Sequence, residues 1–393
     1  MTQHTASLAP ALAHGSDEQL TFTTAGETSS ELVNWFAKSL REAILRLGHL
    51  YQDASSSMVA DEQGDHQHTV RLVINLCDTD KPRSVQRRGQ GTFVATVVEG
   101  NDNQREVMKA AYPVLVRSLS NMVIYNTRVN GVLESHFITI EQGHYIVYHS
   151  GDIPSDFERI FERIQPLACS HLVINNDFVP DLPDHLWQGD DTTKQIGWAG
   201  RQLNSMGLLP AAFPIQEYLS ERELRQVKRL YAIGGLSYGN LSARSLHNPA
   251  HFWMSASGVD KSKLETIGRD ILLVTDYVPD QLMMRLSVPP QVEPRRVSVD
   301  AIEHFLIYKE HPSVGAIVHI HAWWSDPILS TEVNYPCGTY ELAIEVAELV
   351  RRASDPARAV IGLKNHGLTI TGPSINEIFQ RIEGKILPQV PMS

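Results

Sequence analysis

The chain has 393 residues, 42% of them apolar and 20% charged, a balance that builds packed cores and excludes a wholly disordered, collagen-like or membrane-bundle protein. Asp plus Glu number 45 and Lys plus Arg 34, for a formal charge of −11, which argues against nonspecific binding to nucleic acid or anionic lipid. The length predicts two or three domains. Three well-separated cysteines, Cys77, Cys169 and Cys337, give no disulfide framework and fit a reducing compartment. The first residues, MTQHTASLAPALAHGSDEQ, lack the charged and apolar regions of a secretory signal, and no apolar run is long enough to cross a bilayer. The expectation is a cytoplasmic protein with no nucleic-acid and no membrane partner.

In chain order, residues 1–30 are rich in Ser, Thr, Ala and Gly and read as flexible. Apolar residues at helical spacing from Leu32 to Leu50 predict a helix over 31–51. A polar loop over 53–67 follows, with Asp61, Glu62 and His66 in it and His68 just beyond it, all of which read as solvated. Runs at 69–76, 91–99, 121–126, 134–141 and 144–149 read as strands, with a helix over 103–118 and a hairpin turn at Gln142-Gly143. Arg83, Arg87 and Arg88 form a basic turn. A helix near 155–164, a strand at 171–176 and a helix over 191–206 complete a segment, 31–210, read as one α+β domain around a mostly antiparallel sheet. Residues 208–214, LLPAAFP, read as a linker. The remainder, 215–393, predicts a helix at 220–235, strands at 240–246 and 252–255, a helix from Lys261, and a strand at 271–275. It continues with a helix at 299–310, a strand at 315–321, a helix at 339–353, and strands at 359–363 and 368–371.

Four features of that second half carry chemistry. In Ala316-Ile-Val-His-Ile-His321, residues two apart on a strand share a face, so His319 and His321 project together. Metal coordination explains such a pair, and so does a pair of hydrogen-bonded core histidines. Lys364-Asn365-His366-Gly367 places a histidine at a turn between apolar strands, where it is either a site residue or an ordinary turn. Asp300 opens a predicted helix, a position that the helix dipole alone favours. The small polar loops at Gly239-Asn240-Leu241-Ser242 and Ser255-Ala256-Ser257-Gly258 can aim donors at an anion or serve as plain turns.

Taken in one order, these pieces resemble the class II aldolase/adducin family, which includes fuculose- and rhamnulose-phosphate aldolases and ribulose-5-phosphate 4-epimerase. The resemblance rests on GNLSAR (239–244), MSASGVDKSKL (254–264), VSVD (297–300), HPSVGAIVHIHA (311–322), GTYELAIEVAEL (338–349) and AVIGLKNHG (359–367). It implies an α/β/α layered fold with a mostly antiparallel sheet over about 220–383. It also implies a divalent metal, Zn2+ first and Fe2+ or Mn2+ as alternatives, held by His319, His321 and His366. Asp300 falls at the family's acidic position. Gly239, Asn240, Ser257, Gly258, Lys261 and Ser298 fall at its substrate- and anion-binding loops.

The activity implied is a lyase reaction on a small, anionic hydroxy-carbonyl substrate through a metal-bound enediolate, in a homo-oligomer. Epimerisation, iron-dependent oxygenation and an adducin-like binding module are the alternatives. The sequence departs from the family in the short span between His321 and His366, and in Ser298-Val299, where the family has paired serines. Tyr335 and Tyr340 are candidate proton donors or core residues. Trp323 and Trp324 line a pocket or pack in the core, and the Trp187 and Trp198 region is either a lid or a packing surface.

Overall fold

A computed structural model describes residues 19–53, 70–85, 92–101, 106–139, 143–209, 218–230 and 238–391. The expected polar loop with His66 and His68, the turn residues Arg87, Arg88 and Gln142, and most of the 208–214 linker lie outside these residues.

The first sheet runs in the order β2-β1-β3-β4-β5-β6-β7. Its strands are β1 (Thr21–Gly26), β2 (Leu50–Tyr51), β3 (Leu72–Leu76), β4 (Phe93–Glu99), β5 (Met122–Val129), β6 (Val132–Thr139) and β7 (Gly143–Tyr148). Residues 21–26, expected to be flexible, are thus an ordered strand between β2 and β3. The first five strands of the order are parallel, and only β6 and β7 are antiparallel. This corrects the mostly antiparallel sheet expected for the first half. The reason is visible in β3 and β4, which are buried on both faces, as parallel strands between helical layers must be. Helices α1 (Glu31–Arg46) and α3 (Ile153–Cys169) pack together on one face, through Phe36, Leu40, Phe157 and Phe161. Helix α2 (Val107–Arg117) covers the other, through Tyr112 and Leu115.

The second sheet has nine strands in the order β15-β16-β17-β13-β9-β10-β11-β12-β8. It comprises β8 (Asn175–Val179), β9 (Asn240–Arg244), β10 (Phe252–Ser255), β11 (Ile271–Val278), β12 (Met283–Ser287), β13 (Ala316–Ile320), β15 (Leu329–Ser330), β16 (Val360–Leu363) and β17 (Gly367–Gly372). A separate short pair joins β14 (Trp323–Trp324) to β18 (Ile386–Leu387). All neighbours in the large sheet are antiparallel except β15 with β16 and β12 with β8. Helix α4 (Asp191–Ser205) packs on β9 and β10, while α5 (Glu221–Leu230) contacts α2 of the first layer. Helices α6 (Ala301–Glu310) and α7 (Tyr340–Arg352) pack on each other, and α8 (Ile375–Ile382) lies against β13 and β17. The fold is mixed α/β, with a mostly antiparallel sheet in the C-terminal part.

The second core reaches back before residue 210. Val173, Leu182, Leu186, Ile196, Ala199 and Leu203 are all buried in it, and Trp187 and Trp198 pack against it. The segment 31–210, read as one unit, therefore delivers β8 and α4 to the second sheet. The helix expected from Lys261 is only a 3-10 turn, Lys261–Lys263. Asp260 caps it by accepting from the Ser262 amide, and the chain leaves helical geometry at Leu264.

Candidate metal centre

Strand β13 carries His319, and His321 follows the strand's last residue. His319 stands opposite Asn240 of β9 on one side and Thr369 of β17 on the other. Both neighbours approach closely through glycine. Gly239 has φ +74°, and a Cβ there would stand 2.3 Å from the His319 carbonyl oxygen. At Gly367 a Cβ would stand 2.2 Å from the Ile320 carbonyl oxygen. The turn before Gly367 uses Asn365 at φ +57°, a left-handed position that Asn tolerates better than most residues. That turn brings His366 to the end of β13.

The three sequence-predicted histidines meet there. One nitrogen from each of His319, His321 and His366 lies within 4.8 Å of the other two. The Nε2 atoms of His321 and His366 are 3.1 Å apart. His319 Nδ1 is 3.0 Å from the Leu368 carbonyl oxygen. That oxygen only accepts, so Nδ1 carries the proton and Nε2 keeps its lone pair. His319 Nε2 is buried and has no hydrogen-bond partner. Burial is the main cause that holds all three imidazoles below their ordinary pKa, well below for His321 and His366, and neighbouring imidazoles push those two further down. At His319, Asp300 opposes the shift.

Neutral imidazoles with converging lone pairs are what a divalent cation requires. The 3.1 Å Nε2 separation is close to the roughly 3.3 Å edge implied by Zn–N bonds of about 2.0–2.1 Å in a tetrahedron. A buried lone pair with nothing to accept is costly, and a cation removes that cost. The residues fit the metal that the sequence resemblance implies.

Asp300 sits at the N-cap of α6 but makes no side-chain capping bond. Its Oδ2 accepts from Asn240 Nδ2 at 2.7 Å, and its Oδ1 is buried without a partner. Among the described residues, the compact donor group holds the three histidines and not Asp300. Lys261 is 3% exposed. Burial pushes its pKa down to about 8, against the opposing pull of Asp300 and Asp260. The polar loop at 255–258 zips to residues 296–298: Ala256 bridges Val297, the Ser257 amide donates to the Arg296 carbonyl, and the Ser298 amide donates to the Ser255 carbonyl. Gly258 turns at φ +67°. Ser257, Gly258 and Ser298 thus share one loop pair, with Asp300 two residues beyond Ser298.

Three neighbours were missed in the sequence. Cys337 places Sγ 3.1 Å from His366 Nε2. Glu303 is 2% exposed and accepts from Thr369 Oγ1 at 2.6 Å. It lies one helical turn after Asp300, a spacing that could have signalled it. Tyr238 places its ring 5.2 Å from that of His321. Of the two tyrosines singled out, Tyr340 stacks on Tyr277 at 6.0 Å, and Tyr335 packs on the second core. Trp324 is buried, and Trp323 lies over Gly362.

Residues 225–384 match the family model described as Class II Aldolase and Adducin N-terminal domain. The methylthioribulose-1-phosphate dehydratase of Leptospira biflexa serovar Patoc is similar at 27% identity over 135 residues, 34% of this chain and 60% of that one. The chain therefore spans about 60% of the length of the curated relatives it matches. Among solved structures, the L-fuculose 1-phosphate aldolase of Glaciozyma antarctica is similar at 18% identity and a TM-score of 0.32, over 49% of this chain and 69% of that one. An aldolase II superfamily protein of Pseudomonas syringae is similar at 15% identity and a TM-score of 0.32, over 51% and 73%.

Proposed function

Because residues 225–384 belong to the class II aldolase and adducin family, we propose that this protein is a metal-dependent lyase with its centre at His319, His321 and His366. The observation that carries the reading is the buried, unpartnered Nε2 of His319 beside the facing Nε2 atoms of His321 and His366. A divalent cation held there, Zn2+ before Fe2+ or Mn2+, would supply Lewis acidity toward the adjacent oxygens of a hydroxy-carbonyl substrate.

The protein's own groups do the rest. Asn240 holds Oδ2 of Asp300 and leaves Oδ1 to take or return the substrate proton. Lys261, within the field of Asp300 and the imidazoles, balances the negative charge that develops on the substrate. Gly239, Ser257, Gly258 and Ser298 form the walls that orient an anionic end. Carbon–carbon cleavage is the primary reading. Loss of water is the second, favoured by the name of the dehydratase relative; both reactions pass through charge beside a carbonyl. A cytoplasmic homo-oligomer completes the proposal.

Elemental analysis of protein purified without added metal, beside His319→Ala/His321→Ala, tests the centre. Near-stoichiometric metal that disappears in the variant supports it. No metal, and no binding on reconstitution, overturns it. Screens on sugar phosphates for aldehyde release, and on methylthioribulose 1-phosphate for dehydration, then separate the two lyase readings. In whichever assay turns over, Asp300→Asn should lower kcat by about 10²–10⁴-fold while retaining the metal.

A further inference from the structure

We propose that Cys337 is a fourth, sulfur ligand of the metal centre in its resting state, making the donor set three imidazoles and one thiolate. The inference rests on the metal-centre reading above. The Sγ atom lies 3.1 Å from His366 Nε2, and that same nitrogen lies 3.1 Å from His321 Nε2. A cation bonded to both nitrogens would therefore have the thiol next to one of its ligand atoms. Zn–N bonds of about 2.05 Å and a Zn–S bond of about 2.3 Å place nitrogen and sulfur roughly 3.6 Å apart in a tetrahedron, so the Sγ–Nε2 pair of Cys337 and His366 would open by about half an ångström on binding.

An independent observation points to the same place. His319 Nε2 is buried and lacks a partner, and His319 belongs to the converging group, so a cation would fill the space among the three imidazoles, one of which the thiol touches. The competing fourth ligand is the carboxylate of Asp300. Neither it nor the thiol belongs to the compact three-histidine group, but Asn240 already holds its Oδ2, whereas the thiol lies 3.1 Å from His366 Nε2. The thiol, not the carboxylate, is the non-imidazole donor beside His366.

The backbone fixes that thiol. Gly338, at φ +73°, turns the chain immediately after it. The Gly338 carbonyl accepts from the Val173 amide at 2.8 Å, and Thr339 bridges Leu172. Thr339 then caps α7 by accepting from the Leu342 amide. Thr339 Oγ1 also donates to the Pro336 carbonyl at 2.8 Å, so Cys337 is held from both sides rather than carried on a loose arm. On binding the cation, Cys337 would give its thiol proton to solvent and act as a thiolate donor. A substrate chelating through two oxygens would displace the sulfur, and Cys337 would recover its proton. A soft donor also selects zinc over manganese or magnesium.

Cobalt substitution tests this. Co2+-loaded protein should show a sulfur-to-cobalt charge-transfer band in the near ultraviolet, absent from Cys337→Ser and Cys337→Ala, with cobalt affinity lowered by about tenfold or more in Cys337→Ala. Cys77 and Cys169 are buried, so iodoacetamide should label Cys337 in metal-free protein and spare it once cobalt is bound. Stoichiometric cobalt with no such band, and labelling unchanged by the metal, overturns the thiolate ligand and leaves the three-histidine centre standing. No cobalt bound by the folded wild type overturns both. Unchanged circular dichroism of the serine variant shows that a lost band is not a folding defect.

Discussion

Glu303 carries a proton that most surface carboxyls would lose. Burial first, and Asp300 second, push its pKa up to about 8, while Thr369 donates to its Oε1. In the unfolded chain the same carboxyl ionises near its ordinary value of 4.5. Between those values the folded state holds more protons than the unfolded state. The contribution of Glu303 to stability is therefore full below about pH 4.5 and is lost as pH rises through about 8. Glu303→Gln keeps an acceptor for Thr369 and cannot ionise. Its unfolding free energy from chemical denaturation should gain on the wild type from pH 5 to pH 8.5, by a few kcal/mol at most. Equal shifts at both pH values would show that Glu303 does not hold that proton. At this scale the sequence was readable where strand alternation speaks: His319 and His321 had to share a face. Cys337 was not readable. It reaches His366 from a stretch with no period, through the turn at Gly338 and a pairing with residues 172–173.

Strand β8 joins the second sheet beside β12 in parallel register, with Asp177 opposite Arg285 and their side chains paired at 2.8 Å. Helix α4 follows it and packs its Gly200 against the Lys261 turn, where a Cβ would stand 1.9 Å from the Lys261 carbonyl oxygen. A fragment beginning at residue 215 lacks both elements and leaves Trp253, Met254 and Leu286 without part of their cover. It should lack a cooperative thermal transition, whereas a fragment beginning at residue 171 should unfold cooperatively. Equal transitions in the two would show that β8 and α4 are accessory. Apolar periodicity located most helices and strands here, because each must bury one stripe or face. It did not tell parallel from antiparallel pairing, since LVINL and FVATVV fit either ladder. Nor could it assign β8, whose partner lies more than a hundred residues away.

The two sheets are not simply strung in series. The chain leaves the first core after α3, builds β8 and α4 into the second, and returns at Tyr218 and Leu219 to pack beside α2, where Glu223 pairs with Arg117 at 2.7 Å. His171 also reaches forward to Glu341, at 2.6 Å, at the start of α7. A ligand that binds only the folded form raises its stability by mass action. Zinc at a hundred times its dissociation constant should add about 2.7 kcal/mol to the domain that holds the histidines. Chelation should lower its transition temperature, and His319→Ala should abolish the difference. The register of β13 against β9 and β17 has a further, temporal consequence. His319 meets Asn240 and Thr369 across separations of 79 and 50 residues (319 − 240 and 369 − 319). Closing such distant pairings is slow compared with local helix formation. The unfolded chain consequently offers no assembled grip for a cation. Metal should enter after the sheet has formed, leaving the refolding rate unchanged and slowing the unfolding rate. Stopped-flow traces with and without zinc would reveal that order of events, in which the ion acts as a latch and not as a nucleus.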